Sequence, residues 1–405
     1  MRSQLVKSFK PGAALALFLS TTAFAVSFAV WGLVGALAPT FAGAYQLSAK
    51  EKSLMIAIPV LLGALGRIPA GMLADRFGGR RVFALLLLFS ALPAALIGVS
   101  NSYTQLLGLG LLLGLAGSTF PVGVGFTSKW FTPDQQGTAL GVYGMGNIGQ
   151  SIAVFGAPVL ALALGSWRPV FFIFAALSLV WAAVFYVFAR DVPVTAKPKT
   201  LAEDLAILGR SPIAWVLSLF YFLTFGGFVA FAIYLPTLLK DNFKLSAADA
   251  GARTAGFVLL ATLMRPVGGM LADRKGGARV LLGVFLAVAL LGLLMGCPWM
   301  PTFTLGALGA AAALGLGNGA VFKLVPQYFP KDTATVTGLV GAFGGLGGFF
   351  PPLVLGVLRD STGAYTWGFV FLSLFALGCL AVNYFVFIKP ARRLRVAPAI
   401  SRIRV

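Results

Sequence analysis

Long apolar stretches set the first limit on what this chain can fold into. Twelve of them, each about twenty residues or more, are separated by short connectors that carry most of the charged residues. A helix needs about 20 apolar residues to cross a hydrocarbon layer roughly 30 Å thick, so each stretch predicts a transmembrane helix. The expected spans are residues 12–38, 52–75, 81–100, 104–130, 135–163, 167–189, 211–237, 247–272, 279–298, 302–326, 333–358 and 364–388.

The composition supports a membrane protein and argues against a soluble one. Hydrophobic residues make up 59% of the chain and charged residues only 10%, with a mean hydropathy of +0.93. Soluble domains carry roughly 25% charged residues. The net charge of +20 could suggest nucleic acid, but a nucleic-acid site needs Lys and Arg clustered on a folded soluble surface. We therefore expect the lipid bilayer, and no nucleic acid, as the partner of this surface.

The positions of the basic residues predict the orientation in the membrane. With twelve spans, both termini lie on one side. The connectors on that side carry twenty of the 31 Lys and Arg residues, whereas the opposite side carries seven. Because short cytoplasmic loops are enriched in Lys and Arg, we expect a multi-pass protein of the inner (cytoplasmic) membrane with both termini in the cytoplasm. The first apolar run is too long for a signal peptide and is taken as span 1.

An internal repeat divides the chain into two halves. Residues 61–82 (LLGALGRIPAGMLADRFGGRRV) and 259–280 (LLATLMRPVGGMLADRKGGARV) are identical at fourteen of twenty-two positions, and residues 131–144 resemble 328–341. The longest polar segment lies between the copies. We therefore expect an N-terminal six-helix half (1–189), a cytoplasmic linker (190–210) and a C-terminal six-helix half with a short basic tail (211–405). Parallel repeats of this kind are typical of transporters with alternating access.

Each half contains an arginine inside an apolar run, Arg67 in the first and Arg265 in the second. Helical rise places them about 12 Å deeper than Asp75 and Asp273. An arginine at this depth costs on the order of 2.5–3.5 kcal/mol and normally has a counter-ion. All eleven acidic residues fall in connectors or at span ends, and the chain contains no histidine. A small anionic substrate is therefore the expected counter-ion; snorkelling or bonding to backbone carbonyls is the alternative.

Two motifs carry a family resemblance. The loop GMLADRFGGRR (71–81), with its second copy at 269–279, resembles the loop motif of the major facilitator superfamily. The glycine-dense segments GVYGMGNIGQ (141–150) and GLVGAFGGLGG (338–348), together with the paired arginines, resemble the nitrate/nitrite porter family. The resemblance implies an all-α integral membrane protein with twelve transmembrane helices in two pseudo-symmetric six-helix halves (the major facilitator fold). Close helix packing also explains glycines in these segments.

The same resemblance implies the roles of individual residues. Arg67 and Arg265 would clamp the anion, and Asn147 would donate its side-chain amide. The remaining expected substrate contacts are Tyr221, Phe225, Phe28, Gly144 and Gly344. Nitrate and nitrite suit such a site, because they are flat, singly charged anions and a guanidinium fork can bond two oxygens at once. A tetrahedral phosphate or sulfate would fit a flat slot poorly.

The repeated loop motif is interpreted as a gate, and one lysine has two interpretations. Asp75 and Arg76, with Asp273 and Arg274 in the second copy, lie at cytoplasmic helix ends, where the carboxylates are expected to pair across helix seams with basic loop residues. Lys323 lies about 10 Å along its helix from Pro330. It either snorkels to water or, as a desolvated base, carries a coupled proton.

The sequence therefore predicts a transporter rather than an enzyme, without a metal or other cofactor and active as a monomer. No nucleophile stands beside a base, and GLGNG (315–319) lies within an apolar span rather than after a strand, so it is interpreted as helix packing. Nitrate/nitrite exchange and proton-coupled nitrate uptake both remain open. An exporter of organic anions or drugs, and a non-transporting anion sensor, are the alternative functions.

Overall fold

The computed structural model describes residues 10–192, 203, 206, 209–362 and 364–390, and all regular structure among these residues is helical. Twelve helices in the described part of the chain are long and apolar enough to cross a membrane. The predicted all-α architecture with twelve spans is therefore confirmed. Most of the expected linker 190–210 and the tail from residue 391 onward lie outside the described residues.

The spans of the first half contain several helix breaks. Spans 1 to 6 are Ala13–Ala44, Leu54–Phe77, Gly79–Gly98, Tyr103–Ser128, Gln136–Ala163 and Arg168–Phe188. Span 1 comprises helices Ala13–Ala36 and Ala38–Ala44, and span 2 lies within helices Ala49–Leu65 and Arg67–Phe77. Span 4 comprises helices Tyr103–Leu113 and Thr119–Ser128, and span 5 comprises helices Gln136–Gly144 and Ile148–Ala163. Short 3₁₀ turns, Gly114–Ser118 and Met145–Asn147, interrupt spans 4 and 5. Span 1 runs beyond the expected residue 38 because the second helical segment follows at once.

The helices of the second half are longer and less interrupted. Spans 7 to 12 lie in helices Pro212–Phe243, Ala247–Lys275, Gly277–Met295, Met300–Tyr328, Thr333–Thr362 and Thr366–Asn383. A π-helical turn, Tyr384–Ile388, extends the last one. The apolar part of span 11 is Thr333–Pro351, which ends earlier than the expected residue 358.

The chain forms two compact units whose boundaries differ from those of the sequence repeat. The first unit comprises Met1–Ala214 with Val325–Ala342, and the second comprises Trp215–Leu324 with Phe343–Val405. Gly71 and Gly125 lie against Ala334 so closely that a Cβ atom at either glycine would clash. These contacts hold the start of span 11 in the first unit. The division at residues 190–210, inferred from the repeat, stays a prediction.

Local structure repeats where the sequence repeats. Gly78 and Gly276 stand at equivalent positions in the turns that follow spans 2 and 8, with φ of 91° and 87°. This backbone conformation favours glycine. Ser48 and Ser246, which stand at equivalent positions before spans 2 and 8, both cap their helices by accepting a hydrogen bond from the backbone N–H three residues later. The serine caps were not part of the sequence prediction, although the Ser-Ala-Lys-Glu pattern is a recognisable helix start.

Candidate functional site

Arg67 is buried in the first unit, at the point where span 2 is interrupted. It is the first residue of helix Arg67–Phe77, and only 3% of its surface is exposed. Its Nε donates to the carbonyl of Gly117 at 3.1 Å, and its Nη1 donates to the carbonyl of Gly341 at 2.6 Å. Arg67 therefore bonds to two backbone carbonyls, as the alternative interpretation of the sequence predicts for part of its hydrogen bonding. These two bonds fix the plane of the guanidinium within the apolar layer.

An aromatic cluster lies beside the Arg67 guanidinium. The guanidinium carbon is 6.0 Å from the ring centroid of Phe120. Phe24 packs against Phe120 at 5.3 Å, against Phe28 at 4.3 Å and against Tyr143 at 4.9 Å between centroids. Phe28, predicted from the sequence, belongs to this cluster. Phe24 stands one helical turn before Phe28, so helical spacing could have identified it, whereas Phe120 and Tyr143 are brought in by tertiary packing.

Asn147 lies at the end of the 3₁₀ turn in span 5 and is 6% exposed. The two neighbouring glycines hold this segment close to span 1: Gly146 lies against the ring of Phe24, and Gly149 lies against the carbonyl of Ala25. Gly144 is buried just before the turn. The structure thus places the segment that carries Asn147 on the aromatic cluster. Direct contact of Asn147 and Gly144 with substrate stays a prediction.

Arg265 is buried in the second unit among aromatic rings, with 2% of its surface exposed. Its guanidinium carbon lies 5.3 Å from the ring centroid of Phe225 and 5.5 Å from that of Phe228. The phenol of Tyr221 lies beside the same group. Cation–π contacts are worth about 2 kcal/mol when desolvated, so these rings stabilise a charge that the apolar layer disfavours.

Tyr221 and Phe225 form a stacked pair with centroids 4.9 Å apart and planes within 3°. Gly344 lies against this pair, and a Cβ at that position would come within 2.7 Å of Tyr221 Cε1 and 3.1 Å of Phe225 Cδ1. Phe322 meets Tyr221 edge-on at 4.7 Å. The predicted residues Tyr221, Phe225, Gly344 and Arg265 are thus neighbours in the second unit.

Asp75 holds the start of span 11 in the first unit. Its Oδ2 accepts the backbone N–H of Thr335 at 2.8 Å, and its Oδ1 lies 3.6 Å from Lys129 Nζ. Because the first N–H groups of a helix lack partners within it, the carboxylate satisfies one of them and meets the positive end of the helix dipole. The sequence predicts basic loop residues as the partners of Asp75; the observed partners are Lys129, which directly follows span 4, and a backbone group of span 11.

Asp273, the equivalent residue of the second unit, pairs with Lys323 at 2.8 Å. The side chains are 6% and 9% exposed. Lys323 therefore does not snorkel to water, because a carboxylate within the protein satisfies its charge. Each unit thus pairs the motif aspartate with a lysine two spans later, an arrangement that fixes the seam between those helices.

Arg76 and Arg274 follow these aspartates and are both exposed. Arg76 lies over the ring of Phe77 at 5.2 Å. In the first copy the following turn is held by Asp191, whose Oδ1 accepts the backbone N–H of Arg80 at 3.0 Å. A gating role for Arg76 and Arg274 stays a prediction.

Among the described residues, no group of three or more His, Cys, Asp or Glu side chains is arranged to hold a metal ion. The structure pairs Asp75 with Lys129 and Asp273 with Lys323, and the guanidinium groups of Arg67 and Arg265 lie beside aromatic rings.

Comparison with known families identifies the fold. A family model described as Major Facilitator Superfamily matches residues 19–252 and 217–403. The chain belongs to the major facilitator superfamily. The predicted superfamily is therefore confirmed.

Curated members of the superfamily resemble this chain over most of its length. The "Nitrite extrusion protein" of Bacillus subtilis is 41% identical over 362 residues, covering 89% of this chain and 91% of the relative. The "Probable nitrate/nitrite transporter NarK2" of Mycobacterium tuberculosis is 41% identical and covers 90% and 94%. The "Probable nitrate/nitrite antiporter NarK1" of Thermus thermophilus is 36% identical and covers 92% and 91%. This superfamily member therefore belongs with the nitrate/nitrite porter group, whose members are named as transporters and not as enzymes.

Solved structures of more distant superfamily members share the fold. The human organic anion transporter MFSD10 aligns with a TM-score of 0.77 at 18% identity, covering 92% of this chain and 100% of that structure. The fucose:proton symporter FucP of E. coli aligns with a TM-score of 0.75, also at 18% identity, covering 92% and 99%. At this identity the likeness establishes the fold alone.

Proposed function

We propose that this protein transports nitrate and nitrite across the membrane by alternating access. Relatives at 41% identity over about nine-tenths of the chain are named for nitrite extrusion and nitrate/nitrite transport. The observation that carries the proposal is that both repeat-related arginines are buried against aromatic rings, Arg67 at Phe120 and Arg265 at Phe225 and Phe228. A buried cation bounded by rings suits a small, weakly hydrated, flat anion.

The proposed chemistry of binding uses the shape of the guanidinium group. Its N–H donors lie in one plane and can bond two oxygens of a planar anion, while ring faces exclude water above and below. In this proposal Arg67 and Arg265 clamp the anion, Asn147 donates an amide N–H, and Tyr221 with Phe225 walls the site. Gly344 leaves space for the ring pair, because any side chain there would displace both rings.

Replacing Asn147 by alanine is expected to raise the apparent dissociation constant for nitrate several-fold, because one neutral hydrogen bond contributes about 1 kcal/mol. Titration of purified protein with nitrate measures this change, and expression should equal that of the parent. Affinity equal to the parent's would limit Asn147 to packing against span 1.

Energetics restrict how the transporter is used. Bringing one negative charge into a cell that is negative inside costs about 2.3 kcal/mol per 100 mV, so accumulation of nitrate requires coupling. Exchange of nitrate for outgoing nitrite is electroneutral, whereas proton symport compensates the charge with a proton. We keep both modes in the proposal.

Proteoliposomes test the function and its coupling together. We expect labelled nitrate to enter vesicles loaded with nitrite, or to enter empty vesicles with proton uptake reported by an internal pH dye. A panel of larger organic anions serves as the comparison, since an exporter of organic anions would prefer them. Nitrate binding without flux would instead identify a sensor and overturn the proposal.

The same proposal places the protein in the inner membrane as a monomer, with both termini in the cytoplasm and the aspartate–lysine pairs at the cytoplasmic ends of their spans. The excess of Lys and Arg in the connectors on the side of the termini supports this orientation. A fluorescent protein fused to the C-terminus should mature in the cytoplasm, and loss of its fluorescence with full-length expression would reverse the orientation.

A further inference from the structure

Asn318 is a buried amide within the glycine-rich segment GLGNG (315–319), whose pattern indicates helix packing. It lies in span 10 and is 1% exposed. Neither Nδ2 nor Oδ1 has a hydrogen-bond partner among the described residues. Buried polar side chains nearly always have partners, because an unpaired one costs free energy comparable to a lost hydrogen bond. Asn318 therefore needs a reason to be there.

Helical spacing indicates where the Asn318 side chain points. Leu314, one turn earlier, packs against Gly227 of span 7: a Cβ atom at Gly227 would lie 3.4 Å from the Leu314 side chain. Phe322, one turn later, packs edge-on against Tyr221 of span 7. Residues four apart share a helix face, so Asn318 faces span 7 between Tyr221 and Gly227. That is the level of Phe225, whose ring contacts the Arg265 guanidinium.

The neighbouring glycines bring this segment close to the same residues. Gly319 lies against the backbone carbonyl of Arg265. A Cβ atom at Gly317 would lie 2.6 Å from the methyl group of Thr224, so this glycine packs directly on Thr224. The Thr224 hydroxyl is fully buried and also has no hydrogen-bond partner among the described residues. The Asn318 amide and the Thr224 hydroxyl therefore both stand at the level of Arg265 without a hydrogen-bond partner among the described residues.

From these contacts we infer that Asn318 is a further anion-binding residue, whose Nδ2 group donates a hydrogen bond to the nitrate or nitrite held by Arg265. The inference rests on the proposed function. Nitrate and nitrite oxygens only accept hydrogen bonds, so they match the two N–H donors of an asparagine and the hydroxyl of Thr224. In this inference the hydrogen-bond partner of the amide is the substrate rather than another group of the protein.

Asn318→Leu tests the inference, because leucine has a similar volume and no polar atoms. We expect the KM for nitrate counterflow to rise about five- to tenfold, the effect of losing one hydrogen bond. The thermal midpoint of the purified protein should stay the same or increase, since replacing an unpaired buried polar group by an apolar one removes its desolvation cost. Asn318→Asp, which substitutes acceptors and a negative charge for the donors, should reduce nitrate transport further.

Asn383 of span 12 provides a matched control in the same unit. It is fully buried, but its Nδ2 donates to the carbonyl of Ala278 at 2.8 Å. Asn383→Leu should therefore lower the thermal midpoint and leave the KM for nitrate unchanged, the opposite of the pattern expected for Asn318→Leu.

Parent protein is assayed in the same experiment, so that the two proposals fail separately. A parent that does not move nitrate overturns the proposed function. A parent that moves nitrate while Asn318→Leu retains the parental KM overturns the inference alone. If the leucine variant does not fold, the increase in thermal midpoint on adding nitrate is measured for Asn318→Ala and for the parent. A smaller increase in the variant supports the inference, and an increase equal to the parent's overturns it.

Discussion

Lysine in place of either Arg67 or Arg265 is expected to abolish nearly all nitrate transport while the protein still inserts and folds. Lysine keeps the positive charge but replaces a planar group that can bond two oxygens with a single ammonium. An attraction that depended on charge alone would survive this change. We therefore expect nitrate binding by the purified variants to fall much more than their expression.

The two variants should differ in stability. Arg67 also donates to the carbonyls of Gly117 and Gly341, and an ammonium cannot reproduce both bonds in the same plane. Arg67→Lys should therefore have a lower thermal midpoint than Arg265→Lys, whose surroundings are mainly aromatic rings. Arg253→Lys, at an exposed pair with Asp249, is the matched control and should transport normally. Near-normal nitrate affinity in both Arg67→Lys and Arg265→Lys would refute the clamp.

Lys323→Met is expected to destabilise the protein by about 3–5 kcal/mol, because breaking a buried ion pair leaves an uncompensated charge. The charge left behind is that of Asp273, whose side chain is 6% exposed. Lys323→Met combined with Asp273→Asn should recover most of this stability. Thermal unfolding of the single and double variants in detergent measures both effects, and Arg253→Met, which breaks an exposed pair, should change the midpoint little.

The double variant is also the right protein for testing proton coupling. A transport defect in Lys323→Met alone would mix loss of a proton carrier with the cost of the unpaired Asp273. If the parent moves protons with nitrate and the stable double variant moves nitrate without them, the pair carries the proton. Equal proton movement in both proteins would exclude Lys323 from coupling, and a parent without proton movement would favour nitrate/nitrite exchange.

Features that depend on average hydropathy or on the repeat were predictable from the sequence. The twelve spans follow from long apolar runs, and the burial of Arg67 and Arg265 follows from their depth within such runs. The turn at Gly78 and Gly276 has the same backbone conformation in both halves, as the near-identity of the two copies would indicate. Each of these depends on residues close together in the chain or on a direct match between the two halves.

Features that depend on packing between distant spans could not be predicted in the same way. Lys129 is 54 residues from Asp75, and Lys323 is 50 residues from Asp273. These ion pairs could be assigned only once the three-dimensional positions of the spans were known. Asn318 looked like one polar residue among glycines, since sequence alone does not show whether an amide has a partner. The place of Phe120 in the aromatic cluster also could not be predicted, because its contact with Phe24 joins two different spans.

The contact between Asp75 and the start of span 11 has a consequence for the order of assembly in the cell. The carboxylate and the Thr335 N–H that it accepts are 260 residues apart, and synthesis proceeds at about 5–20 residues per second, so roughly 13–52 s separate the two ends of this bond. Lys129, made soon after Asp75, is available as a partner throughout that interval. The Asp75 carboxylate can therefore pair with Lys129 before span 11 has been made, and its bond to the Thr335 N–H forms only late in biosynthesis.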